Sequence, residues 1–192
     1  MATTTPARPM RADARRNYDR LLAEARLSFA AHGTDASLED IARRAGVGIG
    51  TLYRHFPNRH ALMKAVFGEA LTALVARSHE LAESDRPCTA LVDWLGAIVT
   101  HAGEYRGLSR ALMSASHDTT SALFECCVPL REAGTRLLAR AVDSGHVRPG
   151  VSVDDLLQLT NAIALAAEQT PSDPDMADRL LKLTLTGLAS RG

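Results

Sequence analysis

The feature that most constrains the fold is the stretch from Ser37 to Phe56, where apolar residues at helical spacing lie on both sides of Gly46. The first part places four apolar residues at i, i+3, i+4 and i+7, which form one face of an α-helix: Leu38, Ile41, Ala42 and Ala45. Ser37 is a good N-cap for this helix, and Asp40 stands three residues later, where a capping-box acid belongs. Gly46 then ends the helix at a position that favours a positive φ. A short helix followed by a tight turn is therefore predicted.

A second short helix is predicted from Val47 or Gly48 until Pro57 ends it. Its inner face carries three apolar residues: Ile49, Leu52 and Phe56. The side opposite Leu52 and Phe56 presents glycine, hydroxyl, guanidinium, phenol and imidazole groups: Gly50, Thr51 and Arg54, flanked by Tyr53 and His55. A helix with these groups and no acid suits the DNA major groove, whereas a plain helical hairpin is the alternative on geometry alone.

The segment GIGTLYRHFPNRHAL resembles the signature of the TetR family of bacterial transcriptional regulators, whose pattern is roughly V-S-x-G-T-L-Y-x-H-F-x-x-K-x-x-L. The matching or corresponding positions are Val47, Gly48, Gly50, Thr51, Leu52, Tyr53, His55, Phe56, Arg59 and Leu62. The resemblance covers about residues 15 to 66, and it implies that the chain binds DNA. Beyond that stretch, only the length and the helical layout agree with the family.

The resemblance also implies roles for individual side chains. Five would hold phosphates: Ser37, Thr51, Tyr53, His55 and Arg59. Four would face base edges: Gly48, Ile49, Gly50 and Arg54. Two positions depart from the family pattern, because Gly48 replaces a serine and Arg59 replaces a lysine. Gly48 removes a side-chain cap and a phosphate donor, whereas Arg59 keeps the charge, so its phosphate contact is expected to survive.

The 192-residue chain is predicted to be all-α, with about nine helices in two parts. Alanine and leucine are frequent, aromatic residues make up only 4%, and alternating β-branched runs are absent from the sequence. We expect a flexible basic arm at residues 1–10, a helix-turn-helix DNA-binding domain at 11–57, and a ligand-binding and dimerisation domain at 58–192. Residues 1–60 hold ten arginines and six acids, a net charge of +4, and the remainder carries −4. The basic part therefore coincides with the predicted DNA-binding part.

Four arginines near the N-terminus can reach the minor groove or phosphates, unless the arm is simply a solvated tail: Arg8, Arg11, Arg15 and Arg16. The first helix is expected at 12–32. A long helix from Asn58 to about Ser84 has apolar positions along its whole length, so it can join the two domains. A further helix is expected to break or kink at Pro129, which cannot donate a hydrogen bond to the carbonyl of Glu125.

The last two helices, expected at 152–168 and 174–189, are apolar on more than one side. One monomer covers only one such face, so the remaining apolar surface favours a four-helix interface between two copies. The TetR resemblance implies the same interface. The alternative is a helix wholly buried in its own domain. A homodimer would read both halves of a palindrome.

The resemblance further implies that a small hydrophobic or aromatic effector binds among the middle helices. The candidate ligand-binding residues are aromatic or soft groups with a few polar handles: Trp94, Ile98, His101, Tyr105, Met113, Phe124 and Cys127. Each could equally be an ordinary core residue. His101, Glu104 and His117 lack the fixed third ligand that a metal site needs, so neither a metal nor a cofactor is expected.

Two other functions stay open from the sequence. The chain could be a regulator without a small ligand, controlled by a protein partner or by oxidation of Cys126 and Cys127. More remotely, it could be a hydrolase with one of these cysteines as nucleophile, although the sequence has no phosphate loop or strained nucleophile turn. The three cysteines are expected to be reduced, and without a signal peptide or an apolar span the chain is expected to be cytoplasmic and not membrane-bound.

Overall fold

The computed structural model describes residues 8–115, 120 and 122–188, and this part of the chain folds into nine α-helices without a strand. In chain order they are α1 (Arg8–His32), α2 (Leu38–Arg44), α3 (Ile49–His55), α4 (Arg59–Ala82), α5 (Pro87–Gly103), α6 (Leu108–Ala115), α7 (Ala122–Asp143), α8 (Val153–Gln169) and α9 (Met176–Leu188). The all-α prediction is confirmed.

Two helices differ clearly from the sequence expectation. Helix α1 begins at Arg8 instead of residue 12, so only residues 1–7 of the expected arm lie outside the described residues. Helix α7 continues through Pro129 from Ala122 to Asp143. The expected break is wrong. Proline cannot donate one backbone hydrogen bond, but the helix tolerates this loss because the rest of α7 is packed between α4, α5 and α8.

Helices α1 to α3 form a head around one small core. Fully or almost fully buried side chains from all three helices meet there: Leu21, Ala25, Phe29, Ile41, Leu52 and Phe56. The predicted inner face of α3 is therefore correct for Leu52 and Phe56. It is wrong for Ile49, which is 37% exposed, because the first turn of this seven-residue helix projects beyond the head core.

Helix α4 joins the head to the body formed by α5 to α9. Asn58 caps its N-terminus, since the side-chain oxygen accepts a 2.8 Å hydrogen bond from the amide of Ala61. Leu62 and Phe67 are buried in the head cluster, and Leu74 is buried in the body cluster. Leu71 packs against both clusters. A displacement of α4 therefore changes the packing of both parts.

Trp94 is the largest buried side chain of the body. Its indole Nε1 donates a 3.0 Å hydrogen bond to the carbonyl oxygen of Leu74, which fixes α5 against α4. Gly134 of α7 lies directly against the indole ring, because a Cβ built at this glycine would be 2.9 Å from two ring atoms and 2.8 Å from Val153. Three helices thus meet at a point with no room for a methyl group.

Candidate DNA-binding surface and ligand cavity

The turn between α2 and α3 has the geometry that the sequence predicted. Gly46 has a φ of +68°, and Gly48 stands at the N-cap of α3 in an extended conformation without a side-chain hydrogen bond. Leu52 is fully buried and anchors the helix on the head. This anchoring fixes which face of α3 points to solvent.

The nine candidate DNA-binding residues lie on or next to that solvent face. Six are exposed, namely Ser37, Gly48, Ile49, Gly50, Tyr53 and Arg54, and three are half-buried, namely Thr51, His55 and Arg59. Helix α3 carries two basic residues in its last turn and no acid, so the surface suits a polyanion. The neighbouring Ser37 is less free than expected, because its Oγ accepts from the amide of Asp40 and donates to the carboxylate of Glu39.

Arg59 lies beside this surface, but its guanidinium is engaged within the protein. Nη1 donates to the carbonyl oxygens of Thr34 at 2.7 Å and Ala36 at 2.6 Å. These bonds fasten the loop between α1 and α2 to the start of α4. The sequence expectation of a phosphate contact is untested, and the geometry gives Arg59 an additional structural role.

The basic arm is only partly described. Residues 1–7 and the side chains of Arg8 and Arg11 lie outside the described part, whereas Arg15 and Arg16 are exposed on α1. Arg16 forms an ion pair with Asp13 one turn earlier.

The loop after α1 also contacts the body of the protein directly. The amide of Thr34 donates to the carbonyl oxygen of Arg106 at 2.9 Å, in the turn between α5 and α6. The amide of Gly107 in the same turn donates to Glu168 Oε2 at 3.0 Å, near the end of α8. A chain of hydrogen bonds therefore leads from α8 to the head without passing through α4.

The body contains a cavity of about 490 Å³ between α4, α5, α6, α7 and α8. Four of the seven predicted ligand-binding residues line it: Ile98, His101, Phe124 and Cys127. The other three predicted residues are not among the described residues that line this cavity: Trp94, Tyr105 and Met113. Trp94 is buried against Gly134, and Tyr105 packs its ring 4.8 Å from that of Phe67 in the head cluster.

The cavity has an apolar wall and a few polar groups. His101 Nδ1 lies 3.2 Å from the carboxylate of Glu104, so in the neutral imidazole Nδ1 donates and Nε2 is an acceptor. This Nε2 and Asn161 Oδ1 are buried and have no hydrogen-bond partner among the described residues. Both residues line the cavity. Buried acceptors without a donor are costly, which marks them as groups that a ligand can satisfy.

Charges in the cavity come from α7 and α8. Arg131 forms an ion pair with Asp154, and its guanidinium lies 4.9 Å from the centre of the Phe124 ring. Asp155 adds a second carboxylate to the lining. Among the described residues, the lining thus has one cation, which is already paired, and two acids.

Two thiols also line the cavity. Cys126 Sγ lies 4.0 Å from Cys127 Sγ and 3.1 Å from the carbonyl oxygen of Leu123. The hydrogen bond between the two thiols lowers the pKa of the Cys127 thiol below its usual value; burial opposes this effect, and Arg131 adds to it. The same hydrogen bond and burial raise the pKa of Cys126. Cys127 is therefore the thiol that ionises first.

Sequence reasoning missed Asn161, Arg131, Thr34, Arg106 and Glu168. Asn161 had a visible signal, because it is an amide in the apolar middle of α8, four residues from Leu157. The Thr34–Arg106 contact joins two backbones, and a backbone contact leaves no side-chain pattern. In the described part, no helix is long and apolar enough to cross a membrane.

Comparison with known proteins identifies relatives of both parts of the chain. Residues 86–190, more than half of the chain, match the family "Transcriptional regulator SbtR-like, C-terminal domain". Residues 21–66 match "Bacterial regulatory proteins, tetR family". An uncharacterized HTH-type transcriptional regulator of Mycobacterium bovis is 31% identical over 169 residues, which are 84% of each chain.

Solved structures agree with these matches. A TetR transcriptional regulator from Streptomyces coelicolor is 33% identical, with a TM-score of 0.61 over 91% of this chain and 99% of the other. The transcriptional regulator FadR from Bacillus subtilis, solved with stearoyl-CoA, reaches a TM-score of 0.66 at 17% identity, over 88% of this chain and 98% of that one. The second likeness shows the fold alone.

Proposed function

This chain belongs to the TetR family of bacterial transcriptional regulators, and we propose that it is a homodimeric repressor that a small molecule releases from a palindromic operator. The family consists of regulators and not of enzymes, so the hydrolase alternative is removed. One observation carries the proposal: α4 lines the ligand cavity with Phe67, Leu71 and Leu74 and also packs into the head core. A molecule that fills the cavity touches the helix on which the head is mounted.

Two exposed leucines support the dimer. Leu159 of α8 is 42% exposed and Leu183 of α9 is 68% exposed, although both helices are otherwise packed in the body. Large apolar side chains at such exposure on neighbouring helices favour an interface between two copies. On α8, Leu156 and Ile163 are buried within the monomer, whereas Leu159 is not.

We assign the DNA contacts to the solvent face of α3. Tyr53 and Thr51 would hold phosphates, while Ile49, Gly50 and Arg54 would reach base edges in the major groove. Arg54 can donate two hydrogen bonds to guanine O6 and N7, and Ile49 can touch a thymine methyl. Two such helices, related by the two-fold axis of a dimer, would read two half-sites about 34–36 Å apart.

The effector class follows from the cavity's polar groups. His101 Nε2 and Asn161 Oδ1 are buried without a partner among the described residues, and both side chains line the cavity, so a ligand with hydrogen-bond donors would suit them. The carboxylates of Asp154 and Asp155 disfavour an anion, since the only cation of the described lining is paired with Asp154. We therefore propose a neutral or cationic apolar molecule that carries hydroxyl or amine groups.

Ligand binding would reach the head by two routes. The first is α4, which joins both cores. The second is the turn at Arg106–Gly107, held by Glu168 of α8 and bonded to Thr34 of the head. Because α6 and α8 both line the cavity, a ligand that separates them would strain the Glu168–Gly107 bond.

The test combines an operator assay with matched benzene derivatives. DNA upstream of the gene is titrated with the full-length protein in a gel-shift assay, and then with benzenes that carry hydroxyl groups, a carboxylate or no polar group. We expect hydroxylated rings to release DNA and to raise the melting temperature. Asn161→Leu keeps a similar side-chain volume and removes the acceptor. It should weaken the binding of the hydroxylated rings and leave the binding of the apolar rings unchanged. Stronger release by the carboxylates would contradict the effector class, and a protein that stays monomeric would contradict the dimer.

A further inference from the structure

Two adjacent thiols face one cavity, and their geometry is unsuited to a disulfide. A disulfide needs sulfur atoms about 2.05 Å apart and Cα atoms about 4.4–6.8 Å apart. Neighbouring residues across a trans peptide have Cα atoms only about 3.8 Å apart, and the two sulfurs here are 4.0 Å apart. Closing this bond would require distortion of α7, so a disulfide between Cys126 and Cys127 is disfavoured.

A single soft atom can bridge the pair without bringing the sulfurs into contact. Two thiolates on one tetrahedral zinc ion, each with a bond of about 2.3 Å, stand about 3.8 Å apart, close to the spacing seen here. A metal ion would need further ligands from the protein. The described residues contain no group of three or more His, Cys, Asp and Glu side chains that could hold one. The pair therefore suits an atom that brings its own third substituent.

We propose that the cavity binds monosubstituted trivalent arsenicals, with the arsenic atom bonded to both Cys126 and Cys127. Arsenic in such a compound already carries one organic group, so two sulfur atoms complete its three bonds. The reaction is a condensation without redox change. For R–As=O, two S–H bonds break, two As–S bonds form, and the oxygen leaves with both protons as one water molecule.

The surroundings of the thiols favour this reaction. Cys127 carries the lower pKa of the pair and supplies the first thiolate, which attacks arsenic. Cys126 closes the bridge, and its proton leaves with the oxygen. Phe124 and Leu130 lie beside the pair on the apolar wall, where they can cover an aryl group on the arsenic. The inference rests on the proposed function, since it adds a second class of effector, held by As–S bonds, to the same cavity.

The third thiol provides an internal control. Cys88 is half-buried near the start of α5 and is outside the cavity lining. A single thiol binds arsenic through one bond, which an excess of a monothiol reverses. Arsenic bonded to two cysteines is not displaced by an excess of a monothiol, but a competing dithiol removes it. The three cysteines can thus be separated by substitution and by the choice of competitor.

The experiment treats the reduced full-length protein with one equivalent of phenylarsine oxide. We expect a covalent adduct by intact mass spectrometry, a fall in titratable thiols from three to one, and survival of the adduct in excess β-mercaptoethanol. Cys88→Ser should behave the same, with a fall from two thiols to none. Cys126→Ser and Cys127→Ser should each lose the adduct in β-mercaptoethanol. An adduct of equal stability in the Cys126→Ser/Cys127→Ser double variant, or no loss of thiols in the wild type, overturns the inference.

Operator binding is measured separately on the same samples. Adduct formation with release of DNA supports both the inference and the effector role of the cavity. Absence of the adduct overturns the inference. It does not bear on the release of DNA by hydroxylated rings, which the gel-shift assay tests separately. A bridge that forms at Cys126 and Cys127 without changing operator affinity supports the arsenical site and contradicts the proposed function of the cavity.

Discussion

The amide of Thr34 donates a 2.9 Å hydrogen bond to the carbonyl oxygen of Arg106, which ties the loop before α2 to the turn before α6. This contact is close because Gly33, beside Thr34, has no side chain. A Cβ at Gly33 would lie 2.8 Å from the same carbonyl oxygen. The head therefore rests on the body by backbone contact as well as through α4.

Gly33→Ala should destabilise the protein and loosen the head from the body. Gly33 has a φ of +78°, where an L-residue costs roughly 1–2 kcal/mol, and the new methyl group would also strike Arg106. Gly145→Ala is the matched control, because its φ of +74° is similar and, beyond its chain neighbours, no atom of the described residues lies within 4 Å of the new Cβ. Chemical denaturation should show a larger decrease in the free energy of unfolding for Gly33→Ala than for Gly145→Ala. Equal losses would mean that the contact with Arg106 contributes nothing.

Glu168→Ala should reduce the response of operator binding to an effector. The substitution removes the acceptor of the Gly107 amide at 3.0 Å, which costs about 1 kcal/mol and frees the turn that touches Thr34. Glu168→Gln keeps an oxygen acceptor and should restore most of the response. The measurement is the concentration of a releasing compound needed for half-maximal release of DNA. An unchanged half-maximal concentration in Glu168→Ala would mean that the cavity is coupled to the head through α4 alone.

The head could be predicted from the sequence more fully than the cavity. Gly46, Leu52 and Phe56 follow local rules for helix ends and apolar spacing, so their placement was correct. The predicted burial of Ile49 was wrong, because a seven-residue helix is too short for periodicity to distinguish its inner face from its first turn. Gly48, between the two helices, offered no side chain to indicate a cap.

The cavity depends on which helices meet, which spacing along one helix does not specify. Trp94, Ile98, His101 and Tyr105 form one stripe by sequence, yet packing divides them. Ile98 and His101 line the cavity, while the neighbouring helices cover the other two. The long-range contacts of Glu168 had no local signal at all, because its partner is a backbone amide 61 residues away.

Gly134→Ala should destabilise the body by overpacking. The new methyl group would lie 2.9 Å from two atoms of the Trp94 ring and 2.8 Å from Val153, and such insertions typically cost about 1–3 kcal/mol. Gly68→Ala is the control within a helix, since no atom from another part of the described structure lies within 4 Å of its Cβ, and it should be neutral or stabilising. Thermal unfolding, followed by Trp94 fluorescence, compares the two. A melting temperature for Gly134→Ala at or above the wild-type value would contradict the tight packing.

Tyr53→Phe and Arg54→Ala should weaken DNA binding in different ways. Tyr53 is 45% exposed, and loss of its hydroxyl group should remove a phosphate contact and lower affinity on every sequence by a similar factor. Loss of a bidentate contact from Arg54 to guanine should cost about 1–3 kcal/mol on the matched operator and little on an operator changed at that base pair. Titrations on both operators make the comparison. Equal losses for Arg54→Ala on the two operators would contradict its assignment to a base edge.

Cys127 should be alkylated faster than Cys126, with a pH–rate curve displaced toward lower pH than that of an ordinary thiol. The reactive form is the thiolate, and the hydrogen bond between the two thiols stabilises it, so the pKa of Cys127 is lowered. Cys126→Ala removes this hydrogen-bond partner and should move the curve to higher pH, which slows alkylation at neutral pH. Cys126→Ser supplies a hydroxyl donor and should restore part of the effect. Iodoacetamide rates across pH, read by mass spectrometry in a Cys88→Ser background, measure the shift. A curve that is identical in the alanine and serine variants would show that the Cys126 hydrogen bond does not control the reactivity of Cys127.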